Sequence, residues 1–286
     1  MRFLGTGALE AIPDPLCNCY LCQIARKDPG EQRCRSMFQL DKENLIDCGP
    51  DFYSVSTRFK LELNDLQNVF VTHTHEDHLS FTNANFIRNS ITRACGPVNL
   101  YLSQAGYDYL YDAYSTFKDK YTRREGIRAL ERGLVELHVV KPGHIFNAGG
   151  YIIMPVNTCH KASPTETALN YRFEKSGKSL LYACDTGWYL EESLDILRGS
   201  NLSVLIMEGT WGNNWELPIE QHLSAKAFLT QLETFSKYGI ISSDTRIFVT
   251  HISHKHTLTQ AEYQNYMNEH TDRNVTVAYD GLEIDL

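Results

Sequence analysis

Within six positions the chain carries His73, His75, Asp77 and His78, and a turn that gathers three imidazoles and a carboxylate points to metal. These nitrogen and oxygen donors suit borderline divalent cations such as zinc, manganese or iron. Each imidazole binds through the lone pair of a neutral ring, so loading the site requires deprotonated histidines. The preceding run Val69-Phe70-Val71 is short, β-branched and aromatic, and it reads as a compact buried strand. The cluster therefore falls at the carboxyl end of a strand, where sheet proteins place binding and catalytic groups. Its spacing is the strongest signal in the sequence.

Strands with polar ends recur along the chain. Met1 to Leu4 reads as a first strand, closed by Gly5-Thr6-Gly7, a loop that must pass close to other backbone. Phe38 to Leu40 and Asn44 to Asp47 form a hairpin turning at Asp41-Lys42-Glu43 and ending at Cys48-Gly49-Pro50-Asp51. Val98 to Leu102 is a strand. Gln104 to Tyr121 is a helical stretch with Tyr107, Tyr111 and Tyr114 at helical spacing as core packing, and Arg123, Arg124, Arg128 and Arg132 follow as a solvated helix face. Leu134 to Val140 and Tyr151 to Val156 are strands, the second ending at Asn157-Thr158-Cys159-His160. Ala168 to Glu174 pairs with Ser179 to Cys184 around Ser176-Gly177, leading to Asp185-Thr186-Gly187. Val204 to Met207 ends at Glu208-Gly209-Thr210, Ser224 to Tyr238 is a helix, and Arg246 to Thr250 is a strand ending at His251. This order predicts two sheets packed between helices.

A chain of 286 residues could form two average domains, but packed-sheet enzymes of this length often fold as one unit. No repeat, low-complexity tract or linker divides the sequence, so one domain over 1–286 is expected. Apolar residues at 42% and charged residues at 22% allow a sizeable core and exclude a disordered chain. A net charge of -8 argues against a surface that neutralises nucleic-acid phosphates and favours a small substrate. No apolar run nears the roughly 20 residues that span a bilayer, and the N-terminus lacks a signal-peptide pattern, so a cytoplasmic protein is expected. In that compartment clustered thiols more often hold metal than form disulfides. Three of the eight cysteines lie at Cys17, Cys19 and Cys22.

The run His73-x-His75-x-Asp77-His78 resembles the signature motif of the metallo-β-lactamase superfamily. That resemblance implies an α/β fold, the αββα sandwich of two mixed β-sheets packed between helices. It also implies a ligand set for two divalent ions: His73, His75 and His160 for one, Asp77, His78 and His251 for the other, with Asp185 bridging. Two such ions bring the pKa of water towards neutrality and clamp the oxygens of an in-line displacement at phosphorus. The stretch from Gly209-Thr210 to His222-Leu223-Ser224 resembles the segment that delivers a non-ligand histidine in the phosphodiesterase branch. His222 is then the general acid for the leaving alkoxide, and Asp77 also orients the attacking water.

Cys17-x-Cys19-x-x-Cys22, in a loop at 15–22, supplies three thiolates for a structural zinc that needs a fourth ligand, and His254 can complete it. Three early cysteines with a histidine just beyond the last catalytic ligand resemble the PhnP-like family of phosphoribosyl cyclic phosphodiesterases. Gly5-Thr6-Gly7, Leu45-Ile46-Asp47, Thr250-His251-Ile252-Ser253-His254 and Tyr279-Asp280-Gly281-Leu282-Glu283-Ile284 extend the match. The resemblance implies hydrolysis of a small cyclic phosphodiester, a ribose cyclic phosphate or a cyclic nucleotide, and a homodimer. The chain departs from the pattern at Cys48, at Cys159 and Cys184, which read as small buried packers beside ligands, and in a longer helical insertion at about 104–132. Two other resemblances are to tRNA 3′-processing endonucleases, whose basic arm is missing here, and to PqqB-like accessory proteins of cofactor biosynthesis, which share the early cysteine loop.

Overall fold

Short β-branched and aromatic runs pair into two sheets in the computed structural model, which describes residues 1–80, 96–116, 135–213, 219–255 and 258–286. In the first sheet β1 (Arg2–Gly5), β2 (Met37–Gln39), β3 (Asn44–Ile46), β4 (Asn68–Phe70), β5 (Val98–Leu102) and β6 (Val135–Val139) lie side by side in chain order. The β1–β2 and β2–β3 pairs are antiparallel, and the rest are parallel. The second sheet runs from β7 (Phe146–Ala148) through β8 (Tyr151–Ser163), β9 (Glu166–Lys175), β10 (Lys178–Ala183), β11 (Val204–Glu208) and β12 (Arg246–Thr250) to β13 (Val275–Val277). Its first four strands pair antiparallel and its last four parallel. Both sheets are mixed, as expected.

Side-chain alternation explains why the central strands are apolar throughout. Along β10, Leu180 and Tyr182 enter the core between the sheets, whereas Leu181 and Ala183 enter the layer beneath the helices. A strand buried on both faces needs no polar side. The core between the sheets is aromatic: Phe3, Phe38 and Phe70 meet Tyr171, Phe173 and Tyr182, and the Phe70 and Phe173 rings stand edge to face at 5.1 Å. The helices α1 (Tyr20–Ala25), α4 (Glu191–Leu197), α5 (Ala225–Lys237) and α6 (Gln260–His270) cover the second sheet with Leu21, Leu194, Phe228 and Met267. On the first sheet lie α2 (Phe52–Arg58) and α3 (Gln104–Thr116), which contribute Phe52, Val55 and Leu110. The layers are those of an αββα sandwich.

Several expectations need correction. His160 lies within β8, which continues past Val156 to Ser163 through a register irregularity between Asn157 and Lys161. Leu110 is buried on α3 and Tyr107 packs partly buried against the same cluster, as expected, whereas Tyr111 is 44% exposed because it falls beside the inward stripe. The side chain of Tyr114, residues 117–134 with Arg123, Arg124, Arg128 and Arg132, and Cys95 lie outside the described residues. Cys22 sits on α1, so the thiol segment is a turn running into a helix.

The two ends of the chain meet beside β1. Asp280 accepts hydrogen bonds from the Thr6 amide at 2.9 Å, the Thr6 hydroxyl at 2.8 Å and the Cys34 amide at 2.7 Å. A Cβ on Gly5 would stand 1.9 Å from the Arg35 carbonyl oxygen, so the close approach read from Gly5-Thr6-Gly7 is real. Among the described residues no helix is long and apolar enough to cross a membrane. Because Phe70 packs against Tyr101, Tyr171 and Phe173 in the joint core, Phe70→Ala is expected to cost about 3–5 kcal/mol by urea unfolding. A loss below about 1 kcal/mol would show that this core does not hold the sheets together.

Candidate metal centre

The parallel strands of both sheets end at one edge of the sandwich. There β3 delivers Asp47, β4 leads to His73, and β10, β11 and β12 lead to Asp185, Glu208 and His251. Three of these residues adopt left-handed backbone, Asp47 at φ 64°, Asp185 at φ 52° and His251 at φ 56°. Non-glycine residues there cost on the order of 1–3 kcal/mol each, a strain that collects at functional sites. A Cβ on Gly49 would stand 2.1 Å from the Asp77 carbonyl oxygen, so the histidine-rich turn rests directly on the backbone after β3.

All the residues singled out at this edge come together. Asp185, 1% exposed, has Oδ2 at 3.2 Å from Nε2 of both His73 and His78 and 3.6 Å from Nε2 of His160. Its Oδ1 lies 3.1 Å from His251 Nδ1 and 3.5 Å from His222 Nδ1. His75 Nδ1 completes one group at 3.0 Å from His73 and 3.3 Å from His160. Asp77 Oδ2 bridges the other at 3.3 Å from His78 and 3.5 Å from His251. Ligand atoms of His73, His75, His160 and Asp185 all fall within 4.8 Å of one another. The cleft above them has a volume of about 210 Å³ and is walled in part by Trp211 and His222.

A divalent cation fits this donor set. His78 Nε2, His251 Nε2 and Asp185 Oδ1 are buried without a hydrogen bond, a costly condition for polar atoms that a cation between them relieves. Burial, with the positive neighbour His78, pushes His73 down to about 3 and keeps its ring neutral. Burial opposes charge on Asp185, but the imidazoles of His251, His78, His160 and His222 outweigh it and hold the carboxyl well below its usual range.

Other residues, less prominent in the sequence, orient these side chains. Asp47 Oδ2 sits 2.7 Å from His78 Nδ1, and Oδ1 accepts the Thr72 amide at 2.8 Å. Thr210 Oγ1 lies 2.8 Å from His251 Nδ1, and the carbonyls of Ala162 and Gln221 hold His75 and His160. Glu208, fully buried, takes amide hydrogen bonds from Thr186, Gly187 and Leu223 and the Thr210 hydroxyl, and it stands 3.1 Å from His222 Nδ1. Burial disfavours the His222 cation, yet Glu208 and Asp185 overcome it and push that imidazole up to about 9. The signal for Asp47 and Glu208 was available: each is a carboxylate at the end of an apolar strand. Cys184 packs fully buried between the sheets as expected, with Sγ within 4.8 Å of ligand atoms of His78, Asp185 and His251, while Cys159 is half-buried.

A second group lies on the opposite side of His251. Cys17, Cys19, Cys22 and His254 bring their ligand atoms within 4.8 Å of one another, with Cys19 Sγ 3.6 Å from His254 Nδ1. Three thiols and an imidazole match a tetrahedral zinc site. Asp14 Oδ2 stands 3.4 Å from His254 Nε2, a carboxylate behind a histidine of the kind that orients metal ligands.

A family model described as the beta-lactamase superfamily domain matches residues 43–256. The chain belongs to the metallo-β-lactamase superfamily, a class of metal-dependent hydrolases. Among solved structures it is similar to a diphosphatase of the PhnP family, with TM-score 0.73 and 23% identity over 100% of this chain and 96% of that one. It is also similar to zinc-bound PqqB from Methylobacterium extorquens, with TM-score 0.71 and 19% identity over 100% and 99%. The short form of human tRNase Z gives TM-score 0.62 and 16% identity over 99% and 98%. At these identities the likeness is one of fold. No curated protein matches the sequence.

Because Asp47 aligns His78 through Nδ1, Asp47→Asn is expected to weaken metal binding at the histidine cluster roughly ten- to a hundredfold. Competition with a chromophoric chelator measures this, and wild-type affinity in the variant would remove Asp47 from the site.

Proposed function

We propose that the protein is a dinuclear metal-dependent phosphodiesterase that hydrolyses a small cyclic phosphodiester, a ribose cyclic phosphate or a cyclic nucleotide. His73, His75 and His160 would hold one ion, Asp77, His78 and His251 the other, and Asp185 both. When bound, the ions supply an acidified water and offset charge on the phosphoryl oxygens. Cys17, Cys19, Cys22 and His254 would hold a separate structural zinc.

The observation that carries this reading is His222, an imidazole in the same cleft and outside the two ligand groups, aligned by a buried carboxylate. With Nδ1 held 3.1 Å from Glu208, the proton for the departing alkoxide is delivered from Nε2. Trp211 stands edge-on to that ring at 4.9 Å and shields it from water on one side. Asp77, poised between His78 and His251, orients the attacking water. A cleft of about 210 Å³ and a net charge of -8 favour a small ligand over tRNA.

Turnover of bis-p-nitrophenyl phosphate beside a thioester and a cephalosporin tests the reaction class, and only the phosphodiester is expected to react. His222→Ala is expected to lower kcat about 10²- to 10⁴-fold with metal content retained, and His75→Ala to abolish turnover in a folded protein. Cys19→Ser is expected to lose about one zinc per chain together with much stability, read by metal analysis and thermal unfolding. Cleavage of pre-tRNA without cleavage of cyclic diesters would favour a nuclease, and inactivity of the metal-loaded protein on every ester would favour an accessory role.

A further inference from the structure

Glu166 opens β9, is 4% exposed, and lies outside the candidate ligand groups. A buried carboxylate needs hydrogen-bond donors for its oxygens, and Glu166 finds them on two other segments. Oε2 accepts the hydroxyl of Thr74, the residue between His73 and His75, and Oε1 accepts the Ser103 hydroxyl at 3.2 Å. Ser103 Oγ in turn accepts the Gly106 amide at 3.0 Å, which caps the start of α3. The backbone of Glu166 is tied to the same place. Its amide donates to Ser163 Oγ at 3.1 Å, across the tip of the β8–β9 hairpin where Ser163 and Glu166 pair. One residue before Ser163, the Ala162 carbonyl stands 3.1 Å from His75 Nε2.

His75 is half-buried whereas His73 and His160 are buried, so packing restrains its ring least. With Nδ1 facing His73 and His160, a ligand role for His75 puts the ring proton on Nε2, where the Ala162 carbonyl accepts it. We infer that Glu166 is a positioning residue for the ion that His73, His75 and His160 would hold, a role that rests on the two-ion reading above. It reaches His75 by two routes. One runs through the hairpin backbone behind the imidazole, and the other through the side chain of Thr74, which precedes it on the turn. Ser103 joins the first turn of α3 to the same carboxylate, so the helix and the histidine-rich turn share one anchor.

Competition between the full chain and a chromophoric chelator for zinc, with thermal unfolding of the metal-free protein beside it, tests this role without any turnover. Glu166→Ala is expected to weaken one of the two equivalents at the histidine cluster about ten- to a hundredfold, as loss of a group behind a metal ligand does, and to leave the zinc of the thiol cluster in place. Thr74→Val cuts one of the two routes and is expected to weaken the same equivalent by a smaller factor. Glu166→Gln keeps an acceptor oxygen and the side-chain volume, and it is expected to bind close to wild type; with Thr74→Val it carries the test if Glu166→Ala does not fold. In a His75→Ala background Glu166→Ala is expected to weaken the remaining equivalent no further, because its effect passes through His75. Wild-type affinity for both equivalents in Glu166→Ala or Thr74→Val overturns the inference, as does an equal loss with His75 absent, or a lower melting temperature of the metal-free protein with affinities unchanged. A wild-type chain that binds fewer than two equivalents beyond the thiol-cluster zinc takes down the two-ion reading, and this role with it.

Discussion

Five imidazoles converge on one buried carboxylate. His73, His78, His160, His222 and His251 all lie within 3.6 Å of Asp185, which is buried at the bottom of the cleft. The four of these rings that would bind metal must stay neutral to donate and cannot satisfy that carboxylate as cations, and Nε2 of His78 and of His251 meet no hydrogen-bond partner. Buried polar atoms left in that state are expensive. The architecture therefore makes sense around cations, and the stability of this edge of the sandwich is tied to their presence.

The sandwich makes that convergence feasible. Its two sheets present the carboxyl ends of their parallel strands to one edge, so residues as far apart as Asp47 and His251 meet there although the chain between them builds most of both sheets. Positive φ values at Asp47, Asp185 and His251 end the strand alternation where each side chain must turn towards the histidine cluster. The rigid aromatic core formed by Phe70, Phe173 and Tyr182 holds the two edges in register, and the Tyr171 hydroxyl donates across to the Val71 carbonyl at 2.9 Å, two residues before His73. The cost of local strain is met by packing elsewhere.

Most of the strands and the histidine constellation were legible because their signals are local: apolar runs of two-residue period, glycine turns, and ligand spacing on a single turn. What escaped was held by tertiary context. The helix α6 carries only Tyr263 and Met267 as buried residues, so its periodicity is faint, although the Thr259 and Glu262 capping box marked its start. The helices α1, α2 and α4 are too short for a period to register. The extension of β8 through His160 depends on pairing with β9 and on an irregularity that no residue between Asn157 and Lys161 announces. Asp47 and Glu208 read as strand ends, and only the fold shows that one stands behind a candidate metal-binding histidine and the other behind the candidate proton donor. Tyr111 illustrates the reverse error, since helical spacing does not say which face turns inward.

The turn after β12 shows how few residues carry the link between the two clusters. His251 faces Asp77 and Asp185, the Ile252 backbone pairs with Thr6 and Ala8, His254 faces Cys19 and Asp14, and Lys255 stands over the cleft. Four directions from five residues are incompatible with a regular strand, which offers two faces. The left-handed conformation at His251 breaks the strand, and the pairing to the loop after β1 then fixes the new course. A turn this short, with so little apolar surface of its own, would not keep such a shape by packing alone. A zinc held by His254 and the thiols on the facing segment would supply the missing restraint. Such a bound ion would close a loop between residues near positions 20 and 254, a separation for which cross-linking removes much chain entropy. The order of residues on this turn would thus tie the geometry of the histidine cluster to a group of candidate ligands that lies outside the cleft.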